Sequence, residues 1–192
     1  KGAEIEFIHL LDWDIQYCSG CVACSRGLVM GKGMICSRQD DFKAFYEKVV
    51  EADGVLFVDP IFESGATGLY HSITDRMGPG HDTGMMKMLD GKLKEAGKEG
   101  LNPRYFRQKA LSFVGIGGSD WAVRCETDHA MFALSPGWKV VNNEFFSWCK
   151  DVIMQDDKVE RMKEIGRNLA DAAQQIIDED MQIEGSENTS LW

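Results

Sequence analysis

Positive charge and long apolar runs are scarce in this sequence of 192 residues. It carries 21 Lys and Arg against 31 Asp and Glu, which gives a formal net charge of −10 at pH 7. Excess negative charge opposes binding to a phosphate backbone, so we expect no nucleic-acid partner. No stretch reaches the ~20 apolar residues that a membrane-spanning helix needs, and we therefore expect no membrane partner.

The first residues also lack a basic segment followed by an apolar one, which is the pattern of an export signal. We therefore expect a cytoplasmic protein, in which cysteines are thiols or metal ligands rather than disulfides. The length suits one domain with a sizeable core. We assign residues 1–180 to this domain and residues 181–192 to a polar C-terminal tail.

Cysteine, in contrast, is concentrated in one segment. Four of the six cysteines lie in CSGCVACSRGLVMGKGMIC, residues 18–36, with the spacing C-x2-C-x2-C-x11-C. Thiolates are soft ligands, and four that converge can hold an iron–sulfur cluster or a zinc ion. The alternative is that Cys18, Cys21 and Cys24 are metal-free thiols that line a loop. The spacing alone leaves all three possibilities open.

The hydrophobic pattern alternates between buried strands and amphipathic helices. Apolar runs predict strands at residues 4–12, 54–60, 110–118 and 139–146. Helical spacing predicts helices that begin after Asp40 or Asp41 and others at LYHSITDRM, 84–97, 122–134 and 157–180. This alternation predicts a doubly wound α/β domain with a parallel sheet and helices on both faces.

Three loops are then predicted to meet at one edge of the sheet. Ligands bind outside the carboxyl ends of parallel strands. The cysteine segment, the loop PIFESGATG and the loop GIGGSDW each follow a predicted strand, so we expect a ligand site where they converge. The long connection at residues 78–109 is expected to form a lid or an oligomer contact.

Several single residues have simpler interpretations. Cys125 and Cys149 have no partner at metal-ligand spacing and are expected to be buried free thiols. His129 is expected on a helix surface. Arg76 is expected to form a structural ion pair or cap with its neighbour Asp75.

The order of these motifs resembles a known family. CSGCVAC, a later C, DDF, EADGVLFVDPIFESGATGLYHSITDRM and GIGG together resemble the flavodoxin-like NAD(P)H-dependent FMN reductases, and within them the iron–sulfur flavoproteins of anaerobes, over residues 4–148. The resemblance implies a flavodoxin-like fold with FMN and a [4Fe-4S] cluster. It implies FMN contacts from Pro60, Ile61, Phe62, Glu63, Ser64, Gly65, Gly117, Gly118 and Ser119, and cluster ligands Cys18, Cys21, Cys24 and Cys36.

The sequence departs from this family in two places. The family begins with a strand and a phosphate-binding loop, whereas the printed chain begins at the family's second strand. Because the first strand is central in the strand order 2-1-3-4-5, we expect roughly thirty upstream residues that carry it and the FMN phosphate ligands. Eleven residues separate Cys24 from Cys36, which is more than is typical of the cluster-binding relatives.

The resemblance implies an FMN-dependent oxidoreductase that transfers electrons between NAD(P)H or a reduced carrier and an acceptor, through the cluster. No side chain is then required as an acid or a nucleophile, because the cofactor carries the redox chemistry. A homodimer or homotetramer is expected, with a neighbour's cluster or lid completing the site. The alternatives are a ferredoxin-linked electron carrier without a dedicated substrate and a zinc-stabilised interaction module.

Overall fold

The computed structural model describes residues 2–30, 36–78, 82–118, 123–134, 136–147 and 155–187. Within them the strands are β1 (Gly54–Pro60), β2 (Ala110–Ile116) and β3 (Lys139–Phe146). The helices are α1 (Ala23–Val29), α2 (Phe42–Glu51), α3 (Gly68–Met77), α4 (Thr83–Glu95), α5 (Val123–Leu134) and α6 (Asp156–Glu187), with 3-10 turns at Leu10–Asp12 and Pro103–Tyr105. Ser119 and Cys149 lie outside the described residues.

The described strands form one parallel sheet in the order β1-β2-β3. Gly54 is opposite Ala110, and Ala110 is opposite Lys139, so the strands start together. Their carboxyl ends therefore meet at one edge, as the sequence predicts for parallel strands. The parallel sheet and the flanking helices confirm the predicted flavodoxin-like α/β class.

The side chains of β2 alternate between two apolar layers, as a strand covered on both faces requires. Leu111 and Phe113 pack into the main core with residues of α2, α3 and α5. On the opposite face, Ala110 and Val114 pack against Ile165 and other apolar residues of α6. The helix α2 buries the five residues that its spacing predicts: Phe42, Phe45, Tyr46, Val49 and Val50.

None of the described helices is long and apolar enough to cross a bilayer.

The strand predicted at residues 4–12 does not form. This stretch has no regular secondary structure before the 3-10 turn at Leu10–Asp12, with Ile5 85% and Phe7 86% exposed. Ile8 and Leu10 instead pack against the main core. A strand needs a neighbour to accept its backbone hydrogen bonds, and no described strand pairs with this stretch. The cysteine segment therefore does not follow a strand of the sheet.

The last helix is longer than its apolar stripe. We predicted that it ends near residue 180, whereas α6 continues to Glu187. Loss of apolar spacing marks the end of packing and does not break a helix, because Gln, Met and Glu have good helix propensity. The helix predicted at residues 84–97 is present as α4, which forms a small cluster of its own with residues 101–106.

Candidate functional site

The loops that follow β1 and β2 lie against each other at the carboxyl edge of the sheet. The Ile61 N–H donates to the Ile116 carbonyl at 2.9 Å. A Cβ placed on Gly115 would lie 2.9 Å from Ile61 Cδ1, and one on Gly117 would lie 3.3 Å from Ile61 Cβ. The missing side chains of these two glycines thus allow the loops to touch. The structure brings together these two of the three predicted loops.

A tight turn forms the tip of the loop after β1. Phe62 and Gly65 exchange backbone hydrogen bonds, and the two residues between them have positive φ, 49° at Glu63 and 65° at Ser64. Non-glycine residues in this region are strained and concentrate at ligand sites. Among the described contacts, the N–H groups of Glu63 and Ser64 donate no hydrogen bond. The turn therefore offers two unused donors.

The surface around this turn suits a flat heteroaromatic ring such as a flavin. Phe62 is 66% exposed and provides an apolar surface next to the unused donors. Gly118 has open space where a side chain would be, and Gly117 already donates its N–H to the Phe146 carbonyl at 3.1 Å. Gly117 therefore contributes to the site through its lack of a side chain, which leaves room for Ile61 of the other loop. The donors and the apolar surface match the polar edge and the faces of an isoalloxazine, so these residues fit FMN.

Helix α5 holds this loop in place. The Cys125 N–H donates to the Ser64 carbonyl at 3.0 Å, and the Ala66 N–H donates to Asp128 Oδ2 at 3.3 Å. The Thr67 N–H donates to Asp59 Oδ2 at 2.9 Å. The side chain of Arg124 crosses Gly65, where an added Cβ would lie 3.2 Å from Nε. The loop is thus fixed from both α5 and the end of β1.

A buried group of three polar side chains lies beneath the loop. Ligand atoms of Asp59, Cys125 and His129 lie within 4.8 Å of one another, with His129 Nε2 3.6 Å from Cys125 Sγ and 3.9 Å from Asp59 Oδ2. Burial, together with the charges of Asp59, Asp128 and Glu126, raises the pKa of Cys125 to about 12. The thiol is therefore neutral and inert at neutral pH.

Two features of this group differ from the sequence analysis. Cys125 is buried as predicted, but His129 is 0% exposed and stacks on Phe113 rather than lying on a helix surface. The sequence signal for this group is the four-residue spacing of Cys125 and His129, which places both side chains on one face of a helix. Asp59, an acid at a strand end directly before Pro60, was not singled out.

The ends of the cysteine segment are joined by hydrogen bonds between residues 14–17 and 38–41, which we call the neck. The Asp41 N–H donates to the Asp14 carbonyl at 3.0 Å, and the Asp14 N–H donates to Asp41 Oδ2 at 2.8 Å. The Gln16 N–H donates to Asp40 Oδ2 at 3.0 Å. The neck closes the segment into a loop although its ends are more than 20 residues apart in sequence.

The first cysteines lie on a strained turn whose donors favour thiolate. Gly20 has φ 66° and Val22 φ 50°, and the Gly20 N–H donates to Cys18 Sγ at 3.5 Å. A β-branched residue such as Val22 rarely adopts this conformation. Hydrogen bonds from the Ala23 backbone and the Ser19 side chain lower the pKa of Cys21. Successive N–H groups directed at sulfur are typical of anion and cluster sites.

The sulfurs of the cysteine segment do not form a compact site in the part of the chain that the structure describes. Ligands of one zinc ion at ~2.3 Å must have their sulfurs ~3.8 Å apart. In the part of the chain that the structure describes, Cys18, Cys21, Cys24 and Cys36 form no group of three within 4.8 Å. A cubane binds each thiolate to a separate iron, so its ligands stand farther apart. Cys18 and Cys21 are exposed, Cys24 and Cys36 are half-buried, and four such soft donors suit either an iron–sulfur cluster or a zinc ion.

Cys24 of the cysteine segment lies at the opposite end of α3 from the two touching loops. Cys24 Sγ is 3.7 Å from a Cβ placed on Gly78, at the C-terminal end of α3, whereas the loop at residues 60–67 precedes the first residue of α3. A helix of 10 residues is about 15 Å long. The predicted convergence of three loops is therefore not found at Cys24, because that prediction depended on a strand at residues 4–12.

A family model and a solved structure resemble this chain over most of its length. The model described as NADPH-dependent FMN reductase matches residues 1–152. A flavone reductase of known structure is 40% identical, and the match, with a TM-score of 0.77, covers 91% of this chain and 54% of that one.

Curated relatives match shorter parts of the chain. An iron–sulfur flavoprotein of Archaeoglobus fulgidus is 30% identical over 121 residues, which are 63% of this chain and 50% of the relative. An iron–sulfur flavoprotein of Clostridioides difficile is 34% identical over 74 residues, 38% of this chain and 30% of that protein. The matches thus span about half the length, or less, of these relatives.

Proposed function

Because this chain belongs to the NADPH-dependent FMN reductase family, we propose that the protein is an FMN-dependent oxidoreductase that passes electrons from NAD(P)H to an acceptor through a [4Fe-4S] cluster. The observation that carries this proposal is the strained turn at Phe62–Gly65, which presents two unused amides and an exposed aromatic ring beside Gly118. When bound, FMN exchanges two electrons with a nicotinamide and single electrons with a cluster.

The residues of the two touching loops orient and hold the flavin. The amides of Glu63 and Ser64 would donate to its polar edge, and Phe62 would pack against the ring. Pro60, Ile61 and Gly65 shape the loop, and Gly117 and Gly118 lie opposite them. Ser119 is a further proposed contact. Arg124 crosses Gly65, so its charge favours the negative charge that reduction adds to the ring. No side chain is needed as a nucleophile.

The cluster is proposed on Cys18, Cys21, Cys24 and Cys36. Support comes from the strained turn around Val22, the N–H donor to Cys18 and the lowered pKa of Cys21. The cysteines contact the C-terminal end of α3, whereas the loop at residues 60–67 lies at its N-terminal end. We therefore propose that a neighbouring subunit's cluster completes the site in a homodimer or homotetramer. A cytoplasmic location fits the use of NAD(P)H.

The decisive measurement is an anaerobic visible spectrum of the purified protein with iron, sulfide and flavin analysis. FMN with about four irons per chain supports the proposal. FMN without iron would refute the cluster and retain the flavin site, whereas zinc without iron or flavin would favour the interaction module. Anaerobic oxidation of NAD(P)H by the same sample separates an enzyme from a ferredoxin-linked carrier, which would show negligible turnover.

A second candidate acceptor is a planar conjugated ketone of the flavone type, reduced at the flavin by two electrons and two protons. The 40% identity to a flavone reductase and the exposed ring of Phe62, which offers a stacking surface, favour it. NAD(P)H oxidation that depends on added flavone and yields the dihydro product would support this acceptor. Oxidation that depends on added ferredoxin and ignores flavone would exclude it.

A further inference from the structure

Arg76, on the last turn of α3, is a fully buried cation. Its guanidinium forms a forked ion pair with Asp40, from Nη1 to Oδ2 at 2.5 Å and from Nη2 to Oδ1 at 2.7 Å, and the two side chains are 0% and 2% exposed. The partner is thus Asp40 and not Asp75, the neighbour that the sequence suggested. A buried ion pair is costly unless its geometry is good, and it often specifies one arrangement of the chain.

The other contacts of Arg76 are with the cysteine segment and its neck. Nη1 also donates to the Gln16 carbonyl at 2.8 Å, two residues before Cys18. Burial lowers the pKa of Arg76, but its interactions with Asp40 and with the nearby Cys36 thiol raise it overall. One side chain therefore contacts the neck on both sides of the segment and lies near its last cysteine.

One donor of this guanidinium has no partner among the described residues. The Nε of Arg76 is buried without a hydrogen bond. The guanidinium carbon lies 4.3 Å from the centre of the Phe42 ring, so an apolar face closes one side of the group. An unpaired buried donor is unfavourable by the cost of its desolvation, so the guanidinium retains one N–H for a further acceptor.

We propose that Arg76 is the positioning residue of the cysteine site: it closes the neck next to Cys36 and holds its N–H groups close to that sulfur, and thereby retains the cluster and sets its reduction potential. This role rests on the proposed cluster. Residues that hydrogen-bond to a metal ligand orient it and tune the metal in the same way. The role also accounts for the long spacing before Cys36, since that cysteine is held by α3 rather than by the preceding turn.

The test compares Arg76→Lys with the double variant Asp40→Asn/Arg76→Gln, which leaves no unpaired buried charge. Both are purified anaerobically, and their folding is checked by circular dichroism. We expect iron loss to a chelator to be about tenfold faster in the double variant and intermediate in Arg76→Lys, with FMN content unchanged. We also expect a lower cluster reduction potential in the double variant, because guanidinium N–H groups close to Cys36 are lost, whereas the charges of Arg76 and Asp40 are removed together and offset each other.

The matched control is Arg104→Gln, because Arg104 forms exposed ion pairs with Glu51 and Asp53, outside the neck. It should lose iron at the wild-type rate. If the Arg76 variants fold and show the wild-type rate of iron loss and the wild-type reduction potential, the proposed role of Arg76 is wrong. The assignment of the cluster is not affected by that outcome. An iron-free wild-type protein would instead overturn the cluster, and the role with it.

Discussion

The loop at residues 60–67 and the cysteine segment have similarly strained backbones but different supports. All three non-glycine residues with positive φ in the described chain lie in these two regions, at Val22, Glu63 and Ser64. The loop continues directly from β1 and is fixed by backbone hydrogen bonds to β2 and α5. No described strand leads into the cysteine segment, which depends on the neck and the buried pair of Arg76 and Asp40.

This difference indicates how each region can fail. Damage to the loop at residues 60–67 must displace a piece of the sheet edge, so the effects should appear in flavin affinity and in global stability together. Damage to the cysteine segment can open the neck without disturbing the sheet. A mutation in the cysteine segment should therefore lower the metal content without lowering the FMN content.

The largest expected effect is that of Cys21→Ser. We expect iron content to fall at least tenfold, because a cluster ligand is lost, while FMN content and the unfolding midpoint stay near their wild-type values. Iron and flavin analysis of the same sample measures both. Cys125→Ala is the matched control, since Cys125 is buried away from the segment and should retain full iron. Equal iron loss in the two variants would contradict the assignment of Cys21.

A larger side chain between the touching loops should damage the other region. Gly115→Val adds methyl groups where a Cβ alone would lie 2.9 Å from Ile61 Cδ1, so the free energy of unfolding should fall by about 1–3 kcal/mol. FMN affinity should fall with it, and iron content should not. Denaturant unfolding and flavin titration measure the two effects.

The control for this variant is Gly91→Ala. A Cβ on Gly91, inside helix α4, would contact nothing within 4 Å, so this change should stabilise the protein slightly. If Gly115→Val bound FMN with wild-type affinity, the close contact with Ile61 would be irrelevant to the flavin site.

Local sequence signals predicted the sheet and the helices around it. The apolar runs of β1, β2 and β3 and the spacing of α2 act within a few residues, so one segment contains enough information to identify them. The same reasoning failed at residues 4–12, since an apolar run does not reveal whether a neighbouring strand exists. The partners of the strands and the placement of the cysteine segment depend on the whole chain.

The contacts that define the two candidate sites were largely beyond sequence reasoning. The ion pair of Arg76 and Asp40 joins residues 36 positions apart, and the hydrogen bond from Ala66 to Asp128 joins residues 62 positions apart. Such pairs leave no periodic signal. The sequence did identify the loop that carries the strained turn and the four cysteines, because proline, glycine and cysteine have distinctive local chemistry.

Acid should open the neck before it unfolds the sheet. The forked hydrogen bond from Arg76 lowers the pKa of Asp40 to about 2, below the ordinary value of about 3.9. The folded state therefore gains stability from this carboxylate above about pH 4, and loses it as the pH falls towards 2, with a total on the order of 2 kcal/mol. Urea unfolding of metal-free protein between pH 5 and pH 3 measures this loss. Asp40→Asn should flatten the dependence, and an equal slope in this variant would contradict the assignment.

The smallest effect separates the strain of the two regions. In metal-free protein, Val22→Gly should raise the free energy of unfolding by about 1 kcal/mol, because a β-branched residue gives up an unfavourable left-handed conformation. Glu63→Gly should change it less, because relief of a milder strain is nearly offset by the greater freedom of glycine in the unfolded chain. Urea unfolding of both variants measures the difference. A stabilisation by Glu63→Gly as large as that by Val22→Gly would mean that the two turns are equally strained, and that the neck alone distinguishes the cysteine segment.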